Sequence, residues 1–249
     1  MKPHPVAIGA LALLVTAVCV AAGFWQLSRL AGKRALNAAR AAALAAPAAP
    51  LAREPGGRSA QAGRKVVVAG EYDAARHVLL TARFHDSDLG VELLTPLRLD
   101  SGGSLLVDRG WLEAQDGLNA APAQVAEPGQ RRVTGVLVRV PARAGLPPWR
   151  RLAGAGEELW STHELDSASV AAYLPGVPPS WLLLALPDSA APVALARTGP
   201  PMLDEQVHLS YAIQWFCFAL ITAVGTLVIA RRERRRRRQE VGPGRSAPD

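Results

Sequence analysis

The chain has 249 residues, 49% of them hydrophobic and 20% charged, with a net charge of +7. That mixture excludes a disordered chain, and it excludes a protein that is apolar along its whole length. The bases gather outside residues 48–211, which hold 15 of them against 18 acids, so the basic patch that a nucleic-acid binder needs on its folded domain is missing.

Residues 6–24 (VAIGALALLVTAVCVAAGF) form a run of 19 residues without a charge. As a helix it covers roughly 28 Å, about the hydrocarbon thickness of a bilayer. A retained transmembrane helix and a cleaved signal peptide both fit. The length of the run and the lack of a clean small-x-small site favour retention. Residues 25–46 are Ala-rich with Arg and Lys at helical spacing and continue the helix. Pro47 and Pro50 end it, and residues 53–63 read as a linker. Runs rich in Val, Leu and Thr then predict strands over 64–69, 77–82, 91–99, 105–110, 132–140 and 181–186. Asp100-Ser101-Gly102-Gly103 predicts a hairpin turn. Residues 167–173 predict a short helix capped by Asp166 or Ser167, and 113–129 and 141–157 read as loops. A second apolar run of 19 residues, 212–230, has Gln214 as its one strongly polar member.

The expected organisation is a transmembrane helix (6–24), a helical extension and linker (25–63), a β-rich domain (64–205), a second transmembrane helix (212–230) and a basic tail (231–249). This is a membrane protein of the α+β class, two transmembrane helices flanking a small antiparallel β-rich external domain. Seven Arg between positions 231 and 238 place the tail in the cytoplasm. Both termini are then cytoplasmic and the middle external. Arg29, Lys33, Arg34 and Arg40 argue the other way for the first helix taken alone. The chain starts directly on the apolar run with no Arg/Ser-rich presequence, which points to a bacterial plasma membrane. Cys19 and Cys217 both fall in the apolar runs, so the domain between them folds without disulfides and offers no thiol chemistry.

Candidate chemistry is sparse. There is no Gly-x-Ser-x-Gly elbow and no Walker-type phosphate loop. Gly154-Ala155-Gly156 lacks a third glycine and a preceding strand. Asp86 with Asp88, and Glu157 with Glu158, read as solvated loop charge. His77, His85 and His163 lack metal-ligand spacing. No enzyme is expected. The informative segment is His208-Leu209-Ser210-Tyr211-Ala212-Ile213-Gln214-Trp215-Phe216. In a helix His208, Tyr211 and Trp215 fall at i, i+3 and i+7 on one face. They form either an aromatic belt at the membrane interface or a haem contact, with an imidazole for the iron and aromatic surface for the macrocycle.

Four blocks, in order, resemble the Surfeit locus protein 1 family of cytochrome c oxidase assembly factors. They are Gly23-Phe24-Trp25-Gln26-Leu27-Ser28-Arg29 with Lys33, then Gly70-Glu71-Tyr72. Gly90 with Leu94-Thr95-Pro96-Leu97 and Leu106-Val107-Asp108-Arg109-Gly110-Trp111 follows, and the segment from His208 to Phe216 completes the set. The resemblance implies two helices around an external β domain and a chaperone role in maturing haem-copper oxidase. For bacterial members it implies binding of haem a and support of its insertion into oxidase subunit I. The partners it suggests are that subunit, the synthase that makes haem a, and the lipid bilayer. The histidine of the last block, the implied haem contact, is His208, and the tryptophan seven residues on is Trp215. Arg109 has two readings: a bidentate partner for a haem propionate, or a structural group holding Asp108 or a neighbouring carbonyl with Trp111 beneath it. Trp25, Gln26 and Arg29 bind a partner or anchor the first helix. Two blocks depart from the family pattern, the acidic approach Leu203-Asp204-Glu205-Gln206-Val207 and the loop Leu146-Pro147-Pro148-Trp149-Arg150-Arg151. A scaffold that steadies an oxidase intermediate by protein contacts alone, without cofactor, is the alternative function.

Overall fold

The computed structural model describes residues 5–143, 145–153, 158–188 and 191–240. Gly154-Ala155-Gly156, Glu157 and the tail beyond residue 240 lie outside the described residues. Two compact units emerge: one joins the chain up to Ala39 with the chain from Met202, and the other runs from Arg40 to Pro201.

The first unit is an antiparallel helix pair. Helix α1 spans Pro5–Ala45, so the Ala-rich stretch does continue the apolar run as a single helix. Its less exposed positions include a seam of Gly9, Ala12, Thr16, Cys19, Gly23, Gln26, Leu30, Lys33 and Asn37. Their spacing alternates between three and four, the repeat that keeps one seam facing a partner helix. The partner is the C-terminal helix, Gln206–Glu240, with its own seam at His208, Ala212, Phe216, Ala219, Thr222 and Thr226. Small residues let the two backbones approach. A Cβ on Gly23 would stand 2.7 Å from the Phe216 ring, so only glycine leaves room for that ring. Phe24 then meets Phe216 edge-on at 5.4 Å. The outward faces carry Leu11, Leu13, Leu14, Leu220 and Ile221, each more than half exposed. Both helices are long and apolar enough to cross a membrane.

Polar contacts close one end of the pair. Lys33 Nζ donates to the Asp204 carbonyl at 2.8 Å, and Arg34 Nε meets Glu205 Oε2 at 3.1 Å. The Asn37 amide donates to Glu205 at 2.9 Å and exchanges two hydrogen bonds with the Leu203 backbone. Asp204 also accepts from the Gln206 amide at 2.9 Å, capping the C-terminal helix. Within the acidic approach to His208, Glu205 is therefore the counter-charge of Arg34 on α1.

The second unit is a β domain. Its strands are β1 (Ala49–Pro50), β2 (Lys65–Tyr72), β3 (Arg76–His85), β4 (Asp88–Leu99), β5 (Ser104–Glu113), β6 (Gln130–Arg139), β7 (Arg150–Leu152), β8 (Glu158–Thr162) and β9 (Trp181–Ala185). The short helices are α2 (Pro55–Ala60), a 3-10 turn (Pro122–Val125) and α3 (Ser167–Tyr173), which leaves the C-terminal helix as α4. Asp166 caps α3 by accepting from the Ser169 amide. The strand order is β1-β2-β6-β9-β5-β4-β3-β8-β7, and an extra β2·β4 pairing joins β2, β6, β9, β5 and β4 into a ring.

The sheet is mixed, which corrects the expectation of an antiparallel one: β1·β2, β3·β8 and β5·β9 are parallel. Parallel neighbours require long crossovers. Here β8 and β9 return to β3 and β5 only after the intervening chain has crossed the sheet. The closure of the ring depends on Gly70, opposite Leu99, where a Cβ would stand 2.0 Å from the Arg98 carbonyl oxygen. Val66, Val68, Tyr72, Leu97, Leu105, Leu137 and Leu183 fill the ring. Val170 of α3 and Leu174 just after it cover one face of the sheet extension, over Val78, Leu94 and Leu106. Val125 of the 3-10 turn and Leu195 cover the other, over Leu79, Leu93 and Leu112.

Candidate functional site

His208 lies in the first turn of α4, half-buried, and its Nδ1 is 2.7 Å from Oε1 of Gln26 on α1. Gln26 is only 8% exposed. A buried amide needs a partner, and His208 is the one it finds. Tyr211 and Trp215 follow at i+3 and i+7, Tyr211 exposed and Trp215 half-buried. Phe218 continues the stripe, edge-on to Trp215 at 6.1 Å between ring centres. Ala212, Phe216 and Ala219 belong to the seam, so the His208–Tyr211–Trp215 stripe runs along its flank. The helical spacing does bring these three side chains onto one face.

Gln26 is the residue whose significance sequence reasoning left open. The available signal was a lone amide among apolar and aromatic neighbours, the pattern that marks functional polar groups in apolar helices.

Arg109 belongs to the β domain and is 2% exposed. Its Nε and Nη2 meet Glu127 Oε1 at 3.3 and 3.1 Å, and Nη2 also donates to the Val125 carbonyl. Arg197 Nη2 reaches the same Glu127 oxygen at 2.6 Å, while its Nε donates to the Arg109 carbonyl at 2.7 Å. The Tyr72 ring lies under Arg109, 4.8 Å from the guanidinium carbon. Of the two readings of Arg109, the carbonyl partner is present, but the carboxylate is Glu127 and the ring is Tyr72. Asp108 instead accepts from the Gly110 amide at 3.0 Å, and Trp111 faces His85 at 5.2 Å. Burial lowers the Arg109 pKa against the opposing pull of Glu127. Burial, with Glu127 adding, pushes Tyr72 up to about 12, so its hydroxyl stays neutral. A cavity of about 210 Å³ beside the cluster is lined by Tyr72, Ala74, His77, Arg109, Pro122 and Glu127 among others.

Two further histidines of the domain, His77 and His85, are placed apart, at opposite ends of β3. His77 contacts Thr95 Oγ1 at 2.9 Å and the Ala74 carbonyl at 3.1 Å.

An apolar antiparallel helix pair bearing an imidazole and an aromatic flank, on a chain that also forms a cysteine-free mixed β domain, defines the class: a two-helix protein with an intervening β domain. The SURF1 family model matches residues 13–220, and the chain belongs to that family. It is 32% identical over 187 residues to SURF1-like proteins of Mycobacterium bovis and Mycobacterium tuberculosis, which covers 75% of this chain and 66% of theirs. The chain thus spans just under two thirds of the mycobacterial relatives' length. A SURF1-like protein of Rickettsia felis is 27% identical over 231 residues, 88% of this chain and 95% of the relative.

Proposed function

We propose that this protein is a membrane-bound assembly factor for cytochrome c oxidase, one that binds haem a and supports its insertion into subunit I. The observation that carries the reading is the His208–Gln26 contact. With Nδ1 engaged at 2.7 Å, Nε2 is the ring nitrogen left for a metal, the arrangement usual for ligating histidines. Haem a supplies an iron that takes an imidazole nitrogen. His208 would hold it, and Tyr211 and Trp215 offer aromatic surface to the macrocycle. Arg109 stands as a structural group in this reading, because its Nε and Nη2 already serve Glu127 and Val125. Oxidase subunit I and the haem a synthase are the partners this role requires.

The membrane is the bacterial plasma membrane, with both termini cytoplasmic and the β domain external. The apolar helices and the arginines from Arg231 onward support that placement. The bases on α1 have structural partners that weaken their contrary vote: Lys33 and Arg34 bind Asp204 and Glu205. Arg40 donates to the Pro201 carbonyl, and Arg29 lies 6.0 Å from the Trp25 ring.

The test is purification from cells that make haem a, followed by absorption spectroscopy. A Soret band is expected in the wild type. It should be largely lost in His208→Ala with unchanged protein abundance, weakened in Trp215→Ala, and mostly retained in Trp215→Phe. A colourless wild type from such cells would favour the cofactor-free scaffold. A normal spectrum in His208→Ala would move the ligand elsewhere.

A further inference from the structure

We infer that Gln26 is the positioning residue of His208: its Oε1 accepts the Nδ1 proton and holds the imidazole as the tautomer whose Nε2 carries the lone pair. This rests on the haem reading only for what the lone pair is for. The tautomer itself is a property of the helix pair.

A neutral imidazole has one N–H, and which nitrogen carries it is set by the hydrogen bond the other atoms make. At 2.7 Å, Nδ1 and Gln26 Oε1 are at the short end of hydrogen-bonding distance. A carbonyl oxygen has no proton to give, so the proton in this bond comes from Nδ1 and Nε2 is left unprotonated. Were the amide turned over, its N–H would donate to Nδ1, the ring proton would sit on Nε2, and no lone pair would remain there for a metal. One side-chain amide therefore biases His208 toward or away from ligation through Nε2.

The fold makes Gln26 suited to this task. It occupies the seam, three residues after Gly23 and four before Leu30, both buried. The Phe216 ring seated over Gly23 fixes the approach of the two helices one turn away. On the other side the polar collar of Lys33, Arg34 and Asn37 fixes it again. Rotation of α4 about its axis, which would carry His208 off Gln26, is resisted on both sides. Partners that orient a metal-bound histidine typically change affinity by about 10- to 100-fold when removed.

Two variants separate this role from bulk structure. Gln26→Leu keeps volume in the seam and removes the acceptor, and Gln26→Glu keeps an acceptor and adds charge. The first readout needs no haem: ¹⁵N NMR of histidine-labelled full-length protein in nanodiscs, with His208 assigned by difference from His208→Ala. The wild type should show Nδ1 protonated and Nε2 bare. Gln26→Leu should shift His208 toward the Nε2–H form. An Nε2–H wild type, or a Gln26→Leu spectrum unchanged at His208, would overturn the inference whatever happens with haem.

The second readout is haem a titrated into the same samples. Gln26→Leu should bind about 10- to 100-fold more weakly than wild type. Gln26→Glu should retain haem with a more negative midpoint potential, since a carboxylate partner makes the imidazole a stronger donor. Wild-type affinity in Gln26→Leu together with a wild-type potential in Gln26→Glu would also overturn it. If the wild type binds no haem a, the haem reading fails while the NMR result still judges Gln26.

Discussion

Glu127 and Arg197 lie seventy residues apart and meet at 2.6 Å in the interior of the β domain, on the same carboxylate oxygen that holds Arg109. Two buried guanidiniums thus share one carboxylate. Each charge is tolerable only while the carboxylate is present, because an unpaired buried charge carries a large desolvation cost. Arg109 anchors β5, Glu127 the segment after the 3-10 turn, and Arg197 the approach to the isolated Trp111–Ala196 bridge. The cluster ties the segment after the 3-10 turn to the two stretches that the Trp111–Ala196 bridge already joins.

Glu127→Ala should therefore destabilise the domain by about 3–5 kcal/mol, seen as a fall of roughly 10 °C in the melting temperature of the purified protein. Glu127→Gln should cost less, since an amide oxygen can still accept. A change below 1 kcal/mol in Glu127→Ala would show that the arginines find other partners.

Tyr72→Phe should behave in the opposite way. The Tyr72 hydroxyl is buried and has no hydrogen-bond partner among the described residues, while its ring supports Arg109. Removing an unsatisfied buried hydroxyl relieves a cost of about 1–3 kcal/mol, and phenylalanine keeps the cation–π face. Thermal melts should show a neutral or stabilised variant, and a clear loss of stability would reveal a partner for the hydroxyl.

The helix pair makes its own prediction at Gly23. Gly23→Ala places a methyl against the Phe216 ring, which can swing aside, so a modest loss is expected. Gly23→Val adds bulk that the ring cannot clear and should separate the helices over this stretch. Phe216→Leu should restore part of the loss in Gly23→Ala. Thermal stability of the protein in detergent, read by tryptophan fluorescence, would show the order wild type, Ala, Val. Equal stability of all three would mean that the seam does not run through Gly23.

How much of this could be read from the residues depended on how local the relationship was. The stripe of His208, Tyr211 and Trp215 follows from helical spacing, and the strands from β2 to β6 follow from apolar runs between turn residues. β7 and β8 escaped, because Arg150-Arg151 and Glu158-Leu159-Trp160 carry no long apolar run, and β8 joins the sheet through β3, far back along the chain. α2 escaped because Pro55-Gly56-Gly57 is a poor helix composition. It is held by contacts outside itself, from Arg58 to the Ala52 carbonyl and between Gln61 and both Pro50 and Ala52. The Gln26–His208 contact and the Glu127–Arg197 pair join distant positions, and no spacing rule reaches them. Parallel pairing was missed for the same reason.

Topology is tested with alkaline phosphatase, which is active only outside the cytoplasm. A fusion after Gly129, in the exposed turn before β6, should be active, and a fusion after Arg238 should not. The reverse pattern would show that Arg29, Lys33, Arg34 and Arg40 set the orientation, and would remove the compartment that the assembly reading needs.

The last prediction concerns Asp108. It lines a cavity of about 200 Å³ together with Glu92, Trp111 and Arg197. Burial, reinforced by the Glu92 charge, pushes its carboxyl up to about 7, against the lowering effect of the Gly110 amide and of Arg83. A carboxyl that is more basic in the folded protein than in the unfolded chain favours folding while protonated. Its contribution is fully present below the ordinary value near 4, declines as pH rises through the interval to 7, and is gone above. Asp108→Asn is uncharged at every pH and keeps an oxygen for the Gly110 amide. The variant should match the wild type near pH 4 and gain on it steadily, reaching about 1–2 kcal/mol at pH 8 once solvent screening in the open cavity is allowed for. Melting temperatures of both proteins from pH 5 to 8 measure that widening gap. A gap that is constant across the range would mean that Asp108 is charged throughout.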